Sequence, residues 1–172
     1  MTNTLQVAGF LEHSTVNGEG FRSVLFLSGC PHHCPECHNQ EMQSITYGEE
    51  VPYWQLLKRI EKVLPLIDGL TLSGGEPFMQ AAALIPFVKC VKEKFNLSIW
   101  CYTGYTYEEL CKDTLHQQLL KYIDVLVDGP FIAALKDTNL KYRGSSNQRI
   151  LKISPDMPPT LLNYDDDLEI RE

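Results

Sequence analysis

The stretch RSVLFLSGCPHHCPECHN, residues 22–39, joins a run of apolar residues to a segment with three cysteines and three histidines. The nearly continuous apolar run ends in glycine, which is typical of a strand buried inside a sheet. Two prolines interrupt the residues that follow, so the cysteines are expected to lie in a loop. This cysteine loop (residues 29–39) therefore begins where a core strand ends.

Outward from this stretch, strand and helix patterns alternate along the chain. Such alternation with short connections predicts a parallel sheet covered by helices, and right-handed crossovers favour a doubly wound sheet or an open barrel. The repeating units are too few for a complete eight-fold barrel, which needs roughly 250 residues. The predicted strands are 22–29, 69–77, 97–104, 124–130 and 149–154, and the predicted helices are 52–67, 80–95 and 107–123.

Composition excludes several classes of function. The chain has 172 residues, 44% of them hydrophobic and 22% charged, which is typical of one globular domain over residues 1–172. We expect its acidic, proline-containing tail, 155–172, to be only partly ordered. A net charge of −7 argues against charge-driven binding to nucleic acid or to a membrane surface. Without a secretory signal a cytoplasmic chain is expected, in which six cysteines are metal ligands or free thiols rather than disulfides.

Four polar or ligand-rich loops follow the ends of predicted strands. They are the cysteine loop, Gly74-Gly75, Thr103-Gly104 and Asp128-Gly129. In parallel α/β folds the carboxyl ends of the strands form the face that binds ligands. The four loops are therefore predicted to converge on one site.

Cys30, Cys34 and Cys37 have the spacing Cys-x-x-x-Cys-x-x-Cys. Thiolates suit zinc or an iron–sulfur cluster, while buried thiols without a ligand would be unusual at this density. A zinc site would take its fourth ligand from one of the three histidines, and such a site could serve a nucleic-acid-binding or interaction module. A cluster held by three cysteines would leave one iron open for chemistry.

This loop resembles the signature of the radical S-adenosylmethionine (SAM) enzymes. The resemblance implies that the three cysteines are catalytic ligands of a 4Fe–4S cluster whose open iron chelates SAM, with Glu36 and His38 near the adenine. The stretch SGGEP, residues 73–77, resembles the family's Gly-Gly-Glu-Pro turn, in which Gly74, Gly75 and Glu76 would bind the methionine amino group. Glycines suit this role because they let the backbone approach a ligand closely.

Four further stretches resemble the glycyl-radical activases of anaerobic ribonucleotide reductases: VNGEGFR (16–22), CYTGYTYEEL (101–110), DVLVDGPF (124–131) and YRGSSNQRI (142–150). The resemblance implies an incomplete (β/α) barrel with a mostly parallel sheet and outer helices. It also places Thr103 and Asp128 among the cofactor-binding residues. Asn17-Gly18-Glu19-Gly20 stands where related activases often have Asp-Gly-Pro-Gly, and is also similar to the 7-carboxy-7-deazaguanine synthases, the second candidate.

The activity implied by the resemblance is reductive cleavage of SAM to a 5′-deoxyadenosyl radical, which would generate a glycyl radical on an anaerobic (class III) ribonucleoside-triphosphate reductase. That reductase would be the protein substrate. An external one-electron donor such as a flavodoxin or a ferredoxin would reduce the cluster. The resemblance covers about residues 9–150, most of the chain.

Overall fold

The computed structural model describes residues 3–165, in which eight strands form one mixed sheet. Along the sheet the strand order is β3-β1-β2-β4-β5-β6-β7-β8. The strands are β1 (Thr4–Ser14), β2 (Arg22–Leu27), β3 (Glu49–Pro52), β4 (Gly69–Gly74), β5 (Ser98–Tyr102), β6 (Val125–Asp128), β7 (Arg149–Ser154) and β8 (Met157–Leu162).

The prediction of a mostly parallel sheet is wrong. Only the central pairings β2–β4, β4–β5 and β5–β6 are parallel, whereas the other four are antiparallel. The strands missed in the sequence, β1, β3 and β8, all pair antiparallel and lie toward the two edges. The coarser expectation of a mixed α/β fold is confirmed, and the curvature of an incomplete barrel stays a prediction.

The helices are α1 (Tyr53–Val63), α2 (Ala81–Phe95), α3 (Tyr107–Leu110) and α4 (Thr114–Leu120). The first two bury their apolar faces against the sheet, as the periodicity predicted. Pro86 lies inside α2. The helix predicted over 107–123 is divided in two, because the Asp113 side chain accepts the His116 N–H and caps a new helix.

The carboxyl-terminal segment contains a strand that sequence analysis did not predict. β8 pairs with β7 inside the tail 155–172, although two prolines interrupt its sequence. Residues 166–172 of that tail, which was predicted to be only partly ordered, lie outside the described residues. Within residues 3–165, every helix is too short or too polar to cross a bilayer.

The parallel centre of the sheet positions the loops. In the register of β2 and β4, Leu27 lies opposite Gly74, so the chain leaves both strands side by side. The Gly75 N–H donates to the Leu27 carbonyl at 2.8 Å, and the Glu76 N–H donates to the Gly29 carbonyl at 2.7 Å. The Gly-Gly-Glu turn is therefore joined by backbone hydrogen bonds to the end of β2 and to the first residue of the cysteine loop.

Candidate functional site

A cavity of about 240 Å³ lies at the carboxyl ends of the parallel strands. It brings together the three cysteines of the loop, the Gly-Gly-Glu turn and Thr103. Its lining residues are Cys30, His32, Cys34, Cys37, His38, Asn39, Gln43, Ser73, Gly74, Gly75, Glu76, Tyr102, Thr103, Gly104, Gly129, Phe131, Gly144 and Gln148. The predicted convergence of strand-end loops is therefore present, with residues of a fifth segment, 144–148, added.

The three cysteines are free thiols of intermediate exposure. Burial raises the pKa of the Cys30 thiol because it disfavours the charged thiolate. A metal ion bound to the sulfur would replace the proton and offset this cost. The Cys37 N–H donates to the Cys34 carbonyl at 3.2 Å, and the Asn39 N–H donates to the Cys37 sulfur at 3.4 Å. A backbone donor directed at a cysteine sulfur is a contact that tunes iron–sulfur clusters.

The donor set fits a cluster held by three cysteines. Among residues 3–165, no three Cys, His, Asp or Glu side chains meet closely enough to hold a single metal ion. The cysteine ligands of a 4Fe–4S cluster do not need one meeting point, because each binds a different iron. Three thiols on the wall of one cavity would supply three such ligands, and the fourth iron would then have no cysteine ligand from this loop.

The cysteine loop packs directly on the Gly-Gly-Glu turn. The Asn39 side-chain amide donates to the Gly74 carbonyl at 3.1 Å. A Cβ atom at Gly75 would lie 2.2 Å from the Gly29 carbonyl oxygen, so glycine is required for this close approach. Gly74 has a φ of +99°, a conformation that side chains with a Cβ rarely adopt. Both glycines are therefore explained by backbone geometry, whatever ligand the site takes.

The carboxylate of Glu76 is fully buried and accepts four hydrogen bonds. Oε1 accepts from the Thr103 hydroxyl at 2.9 Å and from the Phe78 N–H at 3.1 Å. Oε2 accepts from the Gly104 N–H at 2.8 Å and from Nε2 of His32 at 2.7 Å. These donors compensate for the cost of removing a charge from water. Glu76 therefore connects its own turn to the end of β5 and to the cysteine loop.

Sequence analysis gave His32 no role beyond that of one candidate zinc ligand. In the structure its ring contacts Glu76 and meets the Tyr105 ring edge-on, with the two ring centroids 4.4 Å apart. His33, the next residue, is exposed and contacts Gln43 at 3.2 Å. Periodicity could not separate these two adjacent histidines.

Asp128, a predicted cofactor ligand, is buried but does not line the cavity. Its carboxylate accepts hydrogen bonds from the Arg149 guanidinium and from the Tyr107 N–H. Arg149 also pairs with Glu108, whose pKa it lowers, and the two carboxylates raise the pKa of Arg149. The structure thus gives Asp128 an anchoring contact between β6, β7 and α3.

The two residues that flank Cys37 are placed differently. His38 lines the cavity and meets the Phe131 ring edge-on, with centroids 5.3 Å apart. Glu36 is exposed, has a positive φ of 58° and does not line the cavity. Their predicted contact with adenine stays a prediction, for which His38 is the better placed of the two.

Residues of the segment 144–148 were missed as part of the cavity wall. Gln148 donates to the Gly129 carbonyl at 3.1 Å and accepts from the Gly144 N–H at 2.9 Å. This one side chain thereby joins the end of β6 to the loop before β7. The signal was present in the stretch YRGSSNQRI, which sequence analysis used only as a mark of resemblance.

Comparison with known proteins gives the family to which the chain belongs. Residues 16–151 match a family model described as a 4Fe-4S single cluster domain. The match spans most of the chain, so the chain belongs to this family of 4Fe-4S single cluster domains.

Individual relatives are more specific. The anaerobic ribonucleoside-triphosphate reductase-activating protein of Pasteurella multocida (strain Pm70) is 43% identical over 145 residues, covering 81% of this chain and 92% of that protein. The protein of the same name from Haemophilus influenzae is 42% identical over 141 residues, covering 78% and 90%. The chain belongs to this family of anaerobic ribonucleoside-triphosphate reductase-activating proteins, which confirms the resemblance found in its motifs.

Among solved structures, the crystal structure of QueE from Escherichia coli is similar with a TM-score of 0.48 and 17% sequence identity. The match covers 60% of this chain and 53% of that one.

Proposed function

We propose that this chain is a radical SAM activase that generates the glycyl radical of an anaerobic ribonucleoside-triphosphate reductase. The proposal depends chiefly on one observation: Cys30, Cys34 and Cys37 share a cavity with the Gly-Gly-Glu turn at the carboxyl ends of β2 and β4. The names of the chain's relatives supply the reductase as the protein substrate. The sequence motifs supply the proposed reaction, which is reductive cleavage of SAM at a 4Fe–4S cluster.

In this proposal the three cysteine thiolates hold a 4Fe–4S cluster. When bound and reduced, this cluster would provide for reductive cleavage of the sulfur–C5′ bond of SAM, which yields methionine and a 5′-deoxyadenosyl radical. That radical would remove a hydrogen atom from a glycine of the reductase. The chain's own residues bind, orient and shield these groups.

In the Gly-Gly-Glu turn, the backbone of the two glycines and the side chain of Glu76 have different proposed roles. All four hydrogen bonds that Glu76 accepts come from the protein, so the ammonium group of SAM is assigned to backbone carbonyl oxygens of Gly74 and Gly75. The Gly74 carbonyl already accepts from Asn39, and a carbonyl oxygen has a second lone pair for another donor. The Glu76 side chain stabilises the turn that carries these two carbonyl groups.

Reduction from outside requires access to the cluster. Pro31, His33, Pro35 and Glu36 are exposed on the outer side of the cysteine loop. We assign this surface to an external one-electron donor, such as a flavodoxin or a ferredoxin. The cavity side of the loop then remains for SAM and the glycine of the reductase.

The test begins with iron and sulfide analysis after anaerobic purification. The expected result is about four irons and four sulfides per chain, as a 4Fe–4S cluster requires. One zinc without sulfide would contradict the proposal and favour the zinc-binding module. Cys34→Ala should prevent stable cluster assembly, whereas Cys90→Ala is the matched control because Cys90 lies on α2, away from the cavity.

The second step adds SAM, a strong reductant and the reductase. Formation of 5′-deoxyadenosine together with a glycyl-radical signal in electron paramagnetic resonance would support the proposal. Cleavage of SAM without any glycyl radical, accompanied by turnover of a carboxy-deazaguanine precursor, would instead favour the 7-carboxy-7-deazaguanine synthase activity.

A further inference from the structure

We propose that His32 is a positioning residue that fixes the cysteine loop on the Gly-Gly-Glu turn through its hydrogen bond to Glu76. The inference rests on the proposed function for its catalytic consequence. Its structural part can be tested without cluster or SAM. It concerns a residue to which the motifs assign no role.

The contact joins two buried or nearly buried groups. The His32 side chain is 17% exposed and that of Glu76 is fully buried, with 2.7 Å between Nε2 and Oε2. Because an ionised carboxylate only accepts hydrogen bonds, Nε2 of His32 carries the donated proton. A charge-assisted bond in a site shielded from water is stronger and shorter than a neutral one.

Neighbouring residues hold the imidazole in this orientation. A Cβ atom at position 104 would lie 2.5 Å from Cδ2 of His32, so the glycine there makes room for the ring. Tyr105 meets the ring edge-on at a centroid separation of 4.4 Å. The ring therefore has contacts with Glu76, Gly104 and Tyr105, which together restrict its rotamer.

The effect of this contact depends on the position of His32 in the cysteine loop. It lies two residues after Cys30 and two residues before Cys34, so fixing its ring also fixes the backbone between two predicted cluster ligands. Glu76 is the residue that follows the two glycines assigned to SAM. Of the contacts between the loop and the turn, this hydrogen bond is therefore the one that acts between the first two predicted cluster ligands.

Adjacent His33 offers a matched control. It has the same side chain, but it is exposed, contacts only Gln43 in the hydrogen bonds described, and lies outside the cavity lining. His32→Ala removes the contact, and His32→Gln places an amide N–H near the position of Nε2 and can restore it. His33→Ala measures the effect of losing a histidine from the same loop.

The first measurement uses the metal-free protein. Amide hydrogen exchange should become faster in His32→Ala at residues 30–34 and at Gly104, whose N–H donates to the same Glu76 oxygen. Exchange in β2 and β4 should not change, which distinguishes local loosening from general unfolding. Wild-type exchange at residues 30–34 in His32→Ala would overturn the proposal. This result does not depend on whether the chain cleaves SAM.

The second measurement uses the reconstituted protein. His32→Ala should keep its iron content, yet kcat/KM for SAM cleavage should fall about 10- to 100-fold, mainly through KM, as for other contacts that orient metal ligands. His32→Gln should recover most of this loss, and His33→Ala should stay within about twofold of wild type on the same scale. Equal losses in His32→Ala and His33→Ala, or no recovery with glutamine, would refute the positioning role.

Discussion

Replacing Glu76 with glutamine tests whether a buried carboxylate stabilises this site. The change keeps the size of the side chain and turns one carboxylate oxygen into an NH2 group. At the Oε1 position that group would face the Phe78 N–H, and at Oε2 it would face the Gly104 N–H. Neither backbone amide can become an acceptor, so one buried donor loses its partner in either orientation.

The expected loss follows from these contacts. A buried backbone donor without a partner costs about 1–3 kcal/mol, and the remaining hydrogen bonds weaken because their acceptor is no longer charged. Removing a buried charge also lowers the cost of desolvation, which offsets part of the loss. We therefore expect Glu76→Gln to lower the free energy of unfolding by about 2–3 kcal/mol.

Urea unfolding of the metal-free chain, followed by far-ultraviolet circular dichroism, measures this difference without a contribution from the cluster. Glu93→Gln is the control, because Glu93 is exposed on α2 and its contact with Lys89 spans 3.9 Å. The control should change stability by no more than about 0.5 kcal/mol. If Glu76→Gln were as mild as Glu93→Gln, the account of Glu76 as a stabilising centre would be wrong.

Two further substitutions test neighbouring contacts. Asp128→Asn places an amide against the Arg149 guanidinium or a backbone N–H, and should lower the unfolding free energy in urea by about 1–3 kcal/mol. Unchanged stability would mean that the ion pair is not an anchor. Gly75→Ala should reduce the iron bound after anaerobic reconstitution, because its Cβ would lie 2.2 Å from the Gly29 carbonyl oxygen. Gly9→Ala is its control, since the nearest atom to a Cβ there is 3.8 Å away, and equal iron loss in both would contradict the packing argument.

Most of the strands predicted from the sequence have little contact with solvent, whereas β7 is only partly buried. β2, β4 and β6 are almost entirely buried, and their short apolar runs end in residues that break a strand. β3 has only four residues, and β8 is mostly exposed and contains two prolines, so neither has an apolar run or a regular alternation. β3 pairs with the distant β1, which a local pattern cannot indicate, whereas β8 pairs with the neighbouring β7 across a turn at Pro155 and Asp156.

In the candidate site, too, the features with a local sequence pattern were predicted and those that depend on distant residues were missed. Cysteine spacing is local, and it identified three residues that do share a cavity. The contact between His32 and Glu76 joins positions 44 residues apart, and no periodicity relates them. Arg22 is a similar case: it opens β2, yet its guanidinium is buried and donates to Thr71 and to the Leu70 carbonyl. Burial also lowers its pKa to about 10.

The attachments of the cysteine loop favour a site whose ligands are in place before the cluster binds. At the beginning of the loop, the Glu76 N–H donates to the Gly29 carbonyl. In its middle, His32 contacts the Glu76 carboxylate. At its end, the Asn39 side-chain amide donates to the Gly74 carbonyl. All three attachments lead to the same short turn after β4. A loop with little regular structure is thereby fixed at three points, so the fold itself meets part of the entropic cost of ordering the cysteines. In the proposed function the same turn binds SAM, so one strand end would set the positions of both the cluster and SAM.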